Sequence, residues 1–149
     1  MVINSWLNQD ETLWISLAQA REAMLKARRK DLSRFSMSTP RQAIVLRIIH
    51  HLGNKATLKE ISQHAYREIP SIYLLTNRLE EKGLLRKIRD IPGTTAVRYE
   101  ITGEGLKVLD QVLESDSIHR IMSALTEGEK QELGSILQKL IKASMEVQY

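Results

Sequence analysis

Apolar residues recur at helical spacing over most of the chain. Leu133, Ile136, Leu137, Leu140, Ile141 and Met145 follow one another at i, i+3, i+4, i+7, i+8 and i+12, one stripe of a long last helix. Near the other end, Leu13, Leu17, Ala20, Met24 and Ala27 form a stripe on a first helix over residues 10–35, which Trp14, Ala18 and Leu25 broaden. A helix after Thr102 turns Leu106, Leu109 and Leu113 inward, and residues 115–117 break it before a helical stretch at 118–125.

Side-chain chemistry marks the helix starts. Thr39-Pro40-Arg41-Gln42, Thr57-Leu58-Lys59-Glu60 and Thr126-Glu127-Gly128-Glu129 have the form of capping boxes, the first with proline at the opening helical position. They predict helices over residues 40–52, closed by Gly53, from Thr57 to about Ala65, and after Thr126. Glu68-Ile69-Pro70-Ser71 opens a further helix over residues 70–82, closed by Gly83. A period of two occurs in one stretch. Residues 84–90 and 96–101 flank Pro92-Gly93, and Val97, Tyr99 and Ile101 alternate with Arg98 and Glu100, which predicts a two-stranded hairpin. Helix, short helix, helix, hairpin is the order of a winged helix-turn-helix. The expected fold is mainly α, a winged helix with a two-stranded wing between long terminal helices.

On the helix at residues 70–82, Ile72, Leu75 and Leu79 share the inward side. Pro70, Tyr73, Leu74, Asn77 and Glu81 face out, flanked by Ser71 and Arg78. Asparagine pairs with adenine and arginine with guanine in the major groove, an exposed leucine suits a thymine methyl, and a helix N-terminus offers N–H groups to phosphate. Charge agrees with this placement. The chain carries +4, but residues 40–102 carry +5 and residues 103–149 carry −3. Candidate base-edge contacts are Ser71, Tyr73, Leu74, Asn77 and Arg78. Arg41, Lys59 and Arg67 are candidates for the phosphate backbone, and Arg86, Arg89, Thr94, Thr95 and Arg98 for the wing contact.

Composition excludes more than it adds. A length of 149 residues with 42% hydrophobic and 27% charged content fits one globular domain. Cysteine is absent, which removes disulfides, thiolate zinc sites and cysteine nucleophiles. The seven glycines form no phosphate loop, and no serine stands in a nucleophile elbow, so neither catalysis nor a cofactor is expected. His50 and His51 are adjacent and diverge on a helix, with His64 and His119 elsewhere, so no metal is expected. The first residues lack the pattern of a signal peptide and no apolar run approaches the roughly 20 residues of a span, so a cytoplasmic protein without a membrane partner is expected.

Leu58-Lys59-Glu60-Ile61, Ser71-Ile72, the run from Leu75-Thr76-Asn77-Arg78-Leu79 through Gly83-Leu84-Leu85-Arg86, Tyr99 to Gly105, and Leu125-Thr126-Glu127-Gly128-Glu129 together resemble the multiple-antibiotic-resistance-regulator (MarR) family. The resemblance covers roughly residues 10–145. It implies one domain in which residues 1–36 and 103–149 form a helical dimerisation region and residues 37–102 the DNA-binding winged helix. It further implies a homodimer on a palindromic operator, repressing and released by a small-molecule effector. Gly93-Thr94-Thr95 stands where the family's wing often has an Asp-x-Arg element, and Arg89 and Arg98 are the residues left to replace it. Independently, broad apolar faces at both ends of the chain require a covering partner, and a second copy supplies one. Trp6, Trp14 and Tyr149 suit the dimer core or a small-molecule pocket. Two other readings stay open: a winged helix used for protein interaction, anchored by Tyr73 and Leu74, and a small-molecule binding protein without specific DNA binding.

Overall fold

The computed structural model describes residues 8–35 and 39–148. The elements run α1 (Gln9–Leu32), α2 (Pro40–His51), β1 (Lys55–Thr57), α3 (Leu58–Ala65), α4 (Ile69–Glu81), β2 (Leu85–Ile88), β3 (Arg98–Ile101), α5 (Gly103–Glu114), α6 (Ser117–Met122) and α7 (Glu127–Val147). They fall into two compact units, Met1–Ser115 and Asp116–Tyr149.

The caps operate largely as their chemistry requires. In α3, the Glu60 N–H donates to Thr57 Oγ1 at 3.2 Å and the Thr57 N–H to Glu60 Oε2 at 2.8 Å, and Thr126 with Glu129 repeats the pair at α7. Thr39 accepts from the Gln42 N–H at 3.2 Å, but the Gln42 side chain accepts from Lys82 Nζ at 3.0 Å, tying α2 to the end of α4. Asn8 and Glu11 form a further capping box at α1.

In the first unit, the core gathers one side of every element from α1 to α5. Leu32, Val45, Leu46, Ile49, Ile61, Ile72, Leu79, Leu85, Tyr99 and Leu109 are almost fully buried. The sheet has three antiparallel strands in the order β1-β3-β2, rather than the two of the expected hairpin. β1 is three residues long, too short to show a period, and pairs Ala56 with Tyr99 so that the inner face of β3 is covered. The β2–β3 register sets Arg86 against Glu100 and Ile88 against Arg98.

Of the helices with long apolar stripes, α1 leaves its stripe open and α5 buries a different face from the one expected. α1 buries Leu25, Arg28, Asp31 and Leu32 near its end, while Leu13, Trp14 and Leu17 are exposed. Arg28 links α1 to the end of α5. Its Nη2 donates to the Val112 carbonyl at 3.3 Å and its Nη1 to Ser115 Oγ, and burial pushes its pKa down. α5 buries Gly105, Val108, Leu109 and Val112, whereas Leu106 and Leu113 face out. The glycine decides that rotation. A hypothetical Cβ on Gly105 would stand 2.2 Å from the Leu84 carbonyl oxygen, so this is the side that can meet the sheet. Thr102 fixes the same corner, donating to the Gly83 carbonyl at 2.6 Å and accepting from the Gly105 N–H at 3.0 Å. In the second unit, none of the residues of α7 is buried, and Ile136, Leu137, Leu140 and Met145 are exposed.

Alanine normally favours a helix over glycine by about 1 kcal/mol. Gly105→Ala reverses that sign and costs about 1–3 kcal/mol through the clash with Leu84. Gly103→Ala, with nothing within 4 Å of the added carbon, is neutral or stabilising. Urea unfolding of the two variants checks the contrast.

Candidate nucleic-acid interface

The turn between α3 and α4 is tight. Tyr66 ends α3 in the left-handed region at φ 51°, and its N–H and that of Arg67 both donate to the Ser62 carbonyl. α4 then leaves with Ile72, Leu75, Thr76 and Leu79 held in the core. The Thr76 hydroxyl is satisfied within the helix by the carbonyls of Ile72 and Tyr73. This packing fixes which side of α4 is free.

Of the five candidate base-edge residues, Tyr73, Leu74 and Arg78 are exposed, while Ser71 and Asn77 are half-buried. Leu74 has 59% of its surface open, unusual for a leucine on a folded helix. Asn77 Oδ1 is buried with no hydrogen-bond donor among the described residues, so a two-point contact with adenine requires that side chain to turn. The α4 terminus offers few donors to phosphate. Pro70 has none, and the N–H groups of Ser71 and Ile72 are engaged by the Glu68 carbonyl. Exposed Tyr66 and Ile69, outside the sequence-based candidates, adjoin this surface; a non-glycine residue in a left-handed helix cap has no local signature that reveals it.

The candidate cations divide into two sets. Arg41 on α2, Lys59 on α3, Arg67 in the turn, Arg78 on α4 and Arg89 beyond β2 are exposed and form no ion pair with the described residues. Arg47, also exposed on α2, joins them. Arg86 and Arg98, by contrast, belong to a network across the outer face of the sheet. Glu100 accepts from Arg86 and lies 3.3 Å from Lys55 Nζ, while Arg98 Nε donates to Asp90 Oδ1 at 2.7 Å and Lys55 reaches Asp90 at 3.7 Å. Hydrogen bonds from Arg98 hold the Asp90 carboxyl below its ordinary pKa, and those from Arg86 do the same for Glu100; Asp90 raises that of Arg98. Asp90, Glu100 and Lys55 escaped the sequence reading because strand register alone brings them together.

The wing loop turns at Gly93, φ 73°, with Thr94 and Thr95 exposed at its tip. Between α1 and the start of α2 lies a cavity of about 210 Å³ lined by Glu22, Leu25, Arg29, Thr39, Pro40 and Arg41. Trp14 is exposed outside it, and Trp6 and Tyr149 fall outside the described residues. The His51 and His64 rings stand 6.4 Å apart, and no group of three or more metal-ligating side chains gathers among the described residues. No helix among them is long and apolar enough to cross a membrane.

A helix-turn-helix followed by a stranded wing defines a winged helix protein. The model of the MarR family matches residues 38–90, which span α2 to the stem of the wing. The organohalide-sensing RdhR-CbdbA1625 transcriptional regulator in its 2,4-dichlorophenol-bound form is 22% identical, with 99% of this chain and 89% of that one aligned at a TM-score of 0.88. A mutant MarR from E. coli complexed with operator DNA is 18% identical, covering 92% and 99% of the two chains at a TM-score of 0.81. NadR in complex with 4-hydroxyphenylacetate is 25% identical over 94% and 97%, at a TM-score of 0.71. No curated protein matches the chain in sequence.

Depressed carboxyl pKa values stabilise the folded state above the ordinary carboxylate range, and that contribution is lost as pH falls through the lowered values. A carbon-13 NMR titration therefore finds the Asp90 and Glu100 midpoints below those of free side chains. Arg98→Ala moves the Asp90 midpoint up, and Arg86→Ala moves that of Glu100 up. Unmoved midpoints would show that the pairs do not form in solution.

Proposed function

We propose that this chain is a homodimeric, sequence-specific DNA-binding transcription repressor that reads a palindromic operator through α4 and is released by a small-molecule effector. The observation that carries this reading is the outward side of α4, where Tyr73, Leu74 and Arg78 stand exposed among cations that form no ion pair with the described residues. Ser71, Tyr73, Leu74, Asn77 and Arg78 contact base edges or nearby phosphates. Arg41, Lys59 and Arg67 hold the backbone, and Arg89 with Thr94 and Thr95 forms the wing contact. Phosphate contacts set affinity and its salt dependence, while base contacts set sequence preference.

Association of two copies is supported by apolar side chains left open on α1, α5 and α7, among them Leu13, Trp14, Leu17, Leu106, Leu113, Ile136 and Leu140. The effector reading rests on the cavity beside α1 and α2, together with the phenolic ligands bound by RdhR and NadR. A DNA-binding regulator of this kind works in the cytoplasm. One feature favours protein docking instead: Tyr66, Ile69, Tyr73 and Leu74 give the α3–α4 surface an apolar character. The two readings differ in salt dependence, which is steep for phosphate contacts and shallow for an apolar anchor.

Arg67→Ala weakens binding to all duplexes alike and reduces the slope of log affinity against log salt by about 1. Leu74→Ala or Tyr73→Ala costs about 1–3 kcal/mol at one operator position and leaves other positions unchanged. Gel shifts across a salt series, with single-base operator variants, measure both effects. Binding insensitive to salt and to all three substitutions would instead support the docking module.

A further inference from the structure

Strand alternation places Arg98 and Glu100 on the outer face of β3, opposite the buried Tyr99 and Ile101. Asp90 follows β2, where the hairpin opens into the loop at residues 91–97. Across this neck, Arg98 Nε donates to Asp90 Oδ1 at 2.7 Å and Nη2 donates to Oδ2, a two-point pair that occupies one edge of the guanidinium and both carboxylate oxygens. Lys55 on β1, 3.7 Å from Asp90 and 3.3 Å from Glu100, braces the pair from the third strand. Beyond the neck the loop has little to hold it. The Ala96 N–H donates to Thr94 Oγ1 at 3.2 Å, and Thr94 reaches the Ile91 carbonyl only at 3.5 Å. One two-donor edge of the Arg98 guanidinium is thus engaged within the chain. Arg89, one residue before Asp90, is exposed and has no ion pair among the described residues.

We propose that Arg98 is a positioning residue, closing the neck of the wing against Asp90, and that the wing meets the duplex through Arg89. The second half rests on the DNA-binding reading above. The clasp holds the two stems together so that the Gly93-Thr94-Thr95 tip and Arg89 are presented in one geometry.

The test compares unmodified protein with R98A, R89A and the exchanged pair D90R/R98D. It reads two quantities: affinity for a random-sequence duplex across a salt series, and hydrogen exchange of the amides at residues 89–98 in free protein. R98A is expected to bind about 3–10-fold more weakly with its salt slope kept, and to exchange faster in the wing. The exchanged pair restores part of both readouts, because the neck is closed again although the reversed charges face Lys55 and Glu100. R89A lowers the salt slope by about 1 and leaves exchange unchanged. An exchanged pair as weak as R98A, with the slope reduced by about 1 in both, overturns the clasp and puts Arg98 on a phosphate. Unchanged wing exchange in R98A overturns it as well. Failure of the unmodified protein to bind duplex overturns the DNA reading and the role of Arg89, while exchange in free protein still decides the clasp.

Discussion

The orientation of α4 is the constraint on which the rest depends. Ile72, Leu75 and Leu79 pack into a core shared by α1 to α5 and the sheet, and Thr76 joins them with its hydroxyl satisfied inside the helix. Burying each aliphatic side chain contributes about 1.5–3 kcal/mol. A half-turn of the helix would forfeit that and carry Asn77 and Glu81 inward, costing several kcal/mol for the unpaired charge. α4 therefore has one acceptable rotation, and that rotation turns Tyr73, Leu74 and Arg78 to solvent. Function follows from a packing decision made on the opposite side of the helix.

Electrostatics refines that surface. Counting charges along residues 40–102 treats every cation alike, yet Lys55, Lys82, Arg86, Lys87 and Arg98 are held by acidic or amide groups of the same chain. The cations of this segment without an ion pair among the described residues lie on α2, α3, the turn, α4 and the stem of the wing. Exposed ion pairs contribute little to stability, about 0–1 kcal/mol each, so the sheet network matters mainly for shape. It fixes the strands from which the wing projects.

What could be read from the sequence was what is local. Thr57 with Glu60 and Thr126 with Glu129 lie three residues apart and formed the expected caps; Asn8 with Glu11 has the same spacing but went unread. The inward side of α4 followed from its period. β1 was missed because three residues carry no period, and its role comes from Tyr99, more than forty positions away. The rotation of α5 was misjudged because its leucines stand on one side while a glycine governs the other. Leu106 and Leu113 remain open, as do the leucines of α1 and the stripe of α7. Spacing identified those faces as apolar and, at the two ends of the chain, broad enough to call for a covering partner; for α5 it set on the inside two leucines that are open. Sequence spacing likewise sets Arg98 among the wing contacts without revealing its acidic neighbour. Its partner Asp90 is eight positions away, and only the hairpin register brings the two together.

Selection of duplexes from a fully randomised pool tests the central claim most directly, because it probes the reading face and the pairing of copies together. A dimer presenting two α4 helices enriches an inverted repeat whose half-site centres lie about 34–36 Å apart, or a multiple of that distance. No enrichment, or enrichment of a single unrepeated site by a single-copy species, would contradict it.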